Sequence, residues 1–99
     1  MQTIGVIGAG QMGSGIAQTI AQHGLKVFLS DRDLAIAEES HKGIERALGK
    51  LVGKGKMEVA EAEATLARIT PTGDLAPMAE ADLIIEAATE KEAIKQGIF

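Results

Sequence analysis

The amino-acid sequence predicts an α/β fold built on a parallel, doubly wound sheet. Three observations carry that expectation. Short apolar runs alternate with longer stretches of helical period, a glycine-rich turn joins the first run to the first helix, and an aspartate closes the second run about 20 residues beyond the glycines.

Thr3 to Ile7 form an apolar segment with the pattern of a parallel strand buried on both faces. Gly5 inside it implies that another backbone or a ligand comes close there. The turn that follows places Gly8, Gly10 and Gly13 in G-x-G-x-x-G spacing. From Gln11 to His23, Met12, Ile16 and Ile20 fall with Ala17 and Ala21 on one helical face, and Gly24 supplies a left-handed stop. Lys26 to Ser30 make a second strand, which completes a β-α-β unit of about 30 residues.

Beyond "SDRD", Ile36, Ala37, Ile44, Ala47, Leu48 and Leu51 recur at helical intervals, and Asp33 is placed to cap that helix. The segment Gly53 to Lys56 breaks it. A helix rich in alanine and glutamate follows from about Glu58 to Arg68, so the pair reads as a helical hairpin between strands 2 and 3. Ile69 to Thr72 form a short third strand that Pro71 restricts to a sheet edge. "GDLAPMAEA" is a loop with one turn of helix, and Asp82 to Ala87 form a fourth strand. Thr89 with Glu92 resembles a capping box opening a further helix through Ala93, Ile94 and Ile98. That helix meets no stop signal before Phe99. The expected architecture is thus a Rossmann-type sheet truncated after the fourth strand, with residues 1–99 one partial domain and no second domain in the chain.

A hydrophobic content of 45% with 24% charged residues is that of a folded globular domain. The net charge of −4 and the absence of a basic stripe with interleaved aromatics argue against nucleic acid as a partner. With no cysteine, disulfides and thiolate metal sites are excluded. No apolar run is long enough to span a bilayer, and "MQTIGVIG" enters the first strand without a charged leader, so a cytoplasmic protein independent of membranes is expected.

The glycine turn has a chemical purpose. Without Cβ atoms its backbone can approach a pyrophosphate, and the unpaired N–H groups that open the next helix are electropositive. Such turns also permit tight packing of helix on strand, a role open to Gly13 and Gly15. Asp31 is placed to accept hydrogen bonds from an adenosine ribose, and its charge repels a 2′-phosphate, which favours NAD over NADP; capping a turn is its other available role. Ala87 and Ala88, at the carboxyl end of the fourth strand, are small enough for a cofactor to pass over them. Glu90 is placed either to meet a ribose or nicotinamide group or to sit as an acid at a helix N-terminus. His23 and His41 have no carboxylate orienter at the ligand edge. Lys50, Lys54 and Lys56 form a basic loop, either a solvated face or a contact for an anionic substrate.

Taken together, "VIGAGQMGSGIAQ", "LSDRD", "HKGIERAL", "KLVGKGKM" and "DLIIEAATEKEAIKQGIF" resemble the N-terminal part of the 3-hydroxyacyl-CoA dehydrogenase family, most closely the bacterial 3-hydroxybutyryl-CoA dehydrogenases. The resemblance covers essentially the whole chain. It implies oxidation of a 3-hydroxyacyl-CoA to a 3-ketoacyl-CoA by hydride transfer to NAD, or the reverse, in fatty-acid or butanoate metabolism. It implies that Gly8, Gly10, Gln11, Met12 and Gly13 surround the pyrophosphate, that Asp31 binds the adenosine ribose, and that Glu90 and Lys95 lie near the cofactor. Lys54 matches a lysine that contacts the CoA portion of the substrate, while Ala47 replaces a serine that assists there in some relatives. The family's histidine–glutamate base, its serine and asparagine, and the helical domain that forms the dimer match nothing in these 99 residues. No catalytic residue and no metal ligand is therefore assigned, and the chain alone is expected to be inactive.

Two other readings stay open: a β-hydroxyacid dehydrogenase of the 6-phosphogluconate type, and a non-catalytic NAD-binding module. Leu83, Ile84 and Ile85 in the fourth strand carry no charge or proline to block an exposed edge, so a homo-oligomer is expected.

Overall fold

The structure is a computed structural model that describes residues 2–87. The elements run β1 (Thr3–Ile7), α1 (Gln11–Gln22), β2 (Lys26–Ser30), α2 (Leu34–Gly53), α3 (Val59–Ala67), β3 (Ile69–Thr72), a 3₁₀ turn (Ala76–Glu80) and β4 (Leu83–Glu86). The strands pair in parallel in the order β3-β2-β1-β4. The chain moves outward from β1 through β2 to β3 and then crosses back to β4. A topological switch point therefore lies between β1 and β4, and the glycine turn leaves β1 there.

Each predicted strand and helix among the described residues is present. Gly24, at φ 89°, ends α1 as expected, and the Asp33 carboxylate caps α2 by accepting the Ala35 N–H at 3.0 Å. Gly55, at φ 73°, follows the end of α2. Pro71 pairs with Leu29 on the outer strand, where its missing N–H costs no ladder bond. The expected helix over Thr89 to Ile98 lies outside the described residues.

The core joins Val6, Val27, Leu29 and Ile69 of the sheet to Ala17 and Ala21 of α1 and to Ala37, Ile44 and Leu48 of α2. Arg68 closes the hairpin onto α1 by donating from its guanidinium to the Ala21 carbonyl at 2.8 Å. A cation there also suits the negative end of α1.

Met12, Ile36, Gly5 and the start of β4 differ from the sequence expectation. Met12 does not share the buried face of α1; it is 51% exposed, because Gly13 takes the inward position. Ile36 likewise stays 45% exposed at the start of α2. The close neighbour of Gly5 is neither backbone nor ligand but the Met78 side chain, whose Sδ lies 2.3 Å from where a Cβ would be. Finally, β4 begins one residue after Asp82, since that carboxylate turns back to accept the Gln2 and Thr3 N–H groups at 2.9 and 3.0 Å. These bonds align the starts of β1 and β4 and hold the Asp82 carboxyl below the usual carboxylate range.

The first test concerns α1. A Cβ on Gly13 would lie 1.7 Å from the Gly8 carbonyl oxygen, whereas one on Gly15 meets nothing within 4 Å, so Gly15 does not serve packing as the sequence suggested. Gly13→Ala is expected to lower stability by about 1–3 kcal/mol or more, and Gly15→Ala to raise it by up to about 1 kcal/mol, read by urea unfolding.

Asp82 gives a second test. Its pKa is lower folded than unfolded, so its stabilisation is complete above the unfolded carboxylate value and is lost as pH falls through the folded one. Asp82→Asn should be less stable than the parent at pH 7, and the two should converge in acid below both values. An unchanged gap on acidification would contradict the assignment.

Candidate functional site

The site is built from the ends of three neighbouring strands. At the end of β1, Gly8 takes φ 103°, a left-handed conformation that a Cβ would disfavour, and its N–H reaches the Ser30 carbonyl of β2 at 2.7 Å. This turn brings Gly13 of α1 against the Gly8 carbonyl. The Ala87 N–H bonds the Ile7 carbonyl at 2.8 Å, and the Ala87 Cβ lies 3.5 Å from the place a Gly13 Cβ would occupy. Gly8, Gly13 and Ala87 therefore meet at the switch point, and larger side chains would close it.

Gly10 is the N-cap of α1, in extended conformation, and nothing lies within 4 Å of where its Cβ would be. The first turn of α1 carries no acidic residue, and Gln11 and Met12 are exposed there. The helix N-terminus is thus open, uncapped by side chains and free of negative charge of its own, the electrostatics that suit an anion.

Asp31 stands at the end of β2. Its Oδ2 accepts the Ala9 N–H at 3.0 Å and its Oδ1 accepts the Asp33 N–H at 3.2 Å. It therefore does brace the turns around it. A carboxylate offers about four acceptor positions, so each oxygen retains one for an outside donor. From the other side Ser40 of α2 donates its hydroxyl to the Ala9 carbonyl. A cleft of about 270 Å³ opens beside this bond, between the turn and α2, lined by Gly10, Gln11, Ser14, Ile36, Glu39 and Gly43 among others. The sequence reading did not single out Ser40, because a serine within a helix gives no signal of what it touches.

Other candidates are not gathered here. Lys54 caps the far end of α2, 20 residues after its start and so about 30 Å along the axis. Lys50, Lys54 and Lys56 are all exposed there. A separate apolar groove of about 250 Å³ runs between α2 and α3, lined by Leu48, Val52, Val59, Ala62 and Leu66 with Glu45 and Glu63 at its sides. The His23 Nδ1 donates to the Thr19 carbonyl at 2.8 Å within α1, and the His41 Nε2 donates to the Leu66 carbonyl of α3 at 3.4 Å, so each ring serves a backbone carbonyl. Glu90 and Lys95 lie outside the described residues. Among the described residues no three potential metal ligands cluster, and no helix is long and apolar enough to cross a membrane.

Comparison with known proteins agrees with this geometry. The chain is 46% identical over 95 residues to a probable 3-hydroxybutyryl-CoA dehydrogenase of Deinococcus radiodurans, covering 96% of this chain and 34% of that protein. It is 40% identical over 99 residues to the 3-hydroxyadipyl-CoA dehydrogenase of Escherichia coli, covering all of this chain and 21% of that one. The crystal structure of 3-hydroxybutyryl-CoA dehydrogenase from Escherichia coli superposes with a TM-score of 0.87 at 41% identity, over 99% of this chain and 21% of the other. The chain thus spans between about a fifth and a third of the length of these relatives. Residues 3–99 match the family described as "3-hydroxyacyl-CoA dehydrogenase, NAD binding domain", and the chain belongs to that family.

Proposed function

We propose that this chain is the cofactor-binding portion of an NAD-dependent 3-hydroxyacyl-CoA dehydrogenase, acting in the interconversion of 3-hydroxyacyl-CoA and 3-ketoacyl-CoA in a cytoplasmic enzyme of fatty-acid or butanoate metabolism. The observation that carries the reading is the open glycine turn at the switch point with Asp31 beside it. When bound, NAD supplies the nicotinamide ring that accepts or returns a hydride.

The residues divide the work by chemistry. Gly8 and Gly13 bring the turn and α1 together, and Gly10, Gln11 and Met12 present main-chain N–H groups to the pyrophosphate. Asp31 receives the adenosine ribose hydroxyls on its remaining lone pairs and disfavours a 2′-phosphate by charge. Ala87 leaves room beside Gly13 for the cofactor to cross toward β4, and Glu90 and Lys95 act farther along. Lys54 offers a cation to the CoA portion of the substrate. His23 closes α1 at the end opposite the glycine turn and His41 reaches the Leu66 carbonyl on the hairpin side, so neither is assigned as the general base.

The decisive test is cofactor selectivity. The chain contains no Trp or Tyr, so bound NADH fluoresces over little protein background. NADH should bind about tenfold or more tightly than NADPH, a difference of about 1.4 kcal/mol. Loss of affinity in Asp31→Ala would be ambiguous, because Asp31 also holds Ala9. The informative variant is Asp31→Asn, which keeps an acceptor and loses the charge; its NADH-to-NADPH ratio should collapse toward unity. Equal binding of both cofactors by the unmodified chain would refute the assignment.

A homo-oligomer is the accompanying expectation. The β4 edge exposes Leu83 and Ile84, 46% and 45% accessible, with no proline or lysine in the strand. Light scattering over a concentration series should show self-association that Ile84→Lys weakens, and a strictly monomeric chain would contradict it.

A further inference from the structure

Ala9 sits between two glycines and is 1% exposed, yet both of its main-chain polar groups are held by side chains from outside the turn. Asp31 accepts its N–H, and Ser40 donates to its carbonyl. Each bond fixes a different peptide plane. In a trans peptide the C=O of one residue and the N–H of the next point in opposite directions. The Asp31 bond therefore turns the Gly8 carbonyl away from Asp31, and that carbonyl is the one lying against Gly13. By the same geometry, a Ser40 hydroxyl holding the Ala9 carbonyl toward α2 turns the Gly10 N–H away from α2.

Without such a hold, the plane between Ala9 and Gly10 is free to turn on its Gly10 side. Gly10 is an exposed N-cap with nothing within 4 Å of its missing Cβ, so on that side no side chain resists rotation. We propose that Ser40 is a positioning residue for the cofactor turn, holding the Ala9–Gly10 peptide so that the Gly10 N–H faces the pyrophosphate. The proposal rests on the reading of this turn as the NAD site. It assigns to α2 a part in cofactor binding for which the glycine motif itself gives no sign.

The experiment uses the full 99-residue chain and NADH, with affinity read by fluorescence and the Gly10 amide followed by ¹H–¹⁵N spectra. Ser40→Ala should weaken NADH about two- to tenfold, the worth of one hydrogen bond, and should move the Gly10 amide resonance in the free protein. Ser40→Thr keeps the hydroxyl and should restore both. If the unmodified chain binds NADH and Ser40→Ala binds it equally well, the role of Ser40 is overturned while the NAD reading stands. If the unmodified chain fails to bind NADH, the NAD reading itself falls. A loss of affinity that Ser40→Thr does not rescue overturns the positioning role. Should Ser40→Ala fail to fold, the unmodified protein still decides: a Gly10 amide that does not shift when NADH is added overturns the proposal.

Discussion

The approach of α1 to the end of β1 sets the position of nearly everything else. With the Gly8 carbonyl oxygen 1.7 Å from where a Gly13 side chain would begin, this contact admits no residue but glycine. It fixes the rotation of α1 about its axis, so that Gly13, Ala17 and Ala21 face inward and Met12 faces out. Small residues at these three positions let the helix lie close to the sheet. The same contact places the helix N-terminus over the switch point. Close packing and the open helix N-terminus here have one cause.

Asp31 couples the second strand to this arrangement. A carboxylate at the end of β2 accepting the Ala9 N–H ties the β1 turn to its neighbour through a charge-assisted bond, in addition to the ladder bond from Gly8 to Ser30. Its other oxygen orders the entry to α2 through the Asp33 N–H, one step before Asp33 caps that helix. On the proposed function, selectivity between cofactors and the shape of the turn share one side chain. A change aimed at the first disturbs the second unless an acceptor is preserved.

Most of the fold was legible because its signals are local. Alternating apolar runs, the glycine stop at Gly24, the break over Gly53 to Lys56, the Asp33 cap and the edge-restricting Pro71 each act within a few residues of themselves. What escaped were effects decided across the fold. Nothing local to Gly5 says that Met78, more than seventy positions on, fills its space. Met12 has the right period for the buried face of α1, and only the Gly13 contact turns it outward. Arg68 reaching Ala21, Asp82 reaching Gln2 and Thr3, and Ser40 reaching Ala9 are side-chain-to-backbone bonds between distant segments. Composition and spacing carry no trace of them. The glycine turn and Asp31 can be read together as a candidate site because a short-range motif plus one partner at a fixed remove is itself a local signal.

The length of α2 gives the proposed function a geometric condition. This helix begins directly after Asp33, whose N–H Asp31 holds, and meets the glycine turn at Ser40, and Lys54 lies 14 residues beyond that contact, about 21 Å along the axis. On the proposed function, a cation at Lys54 can meet only a part of the substrate remote from the glycine turn. On that reading the hairpin is a ruler as well as a support, since shortening α2 by one turn would move Lys54 about 5.4 Å toward the glycine turn. Ser40 lies on the same helix, six residues after its first, and so ties the ruler to the turn from which it measures.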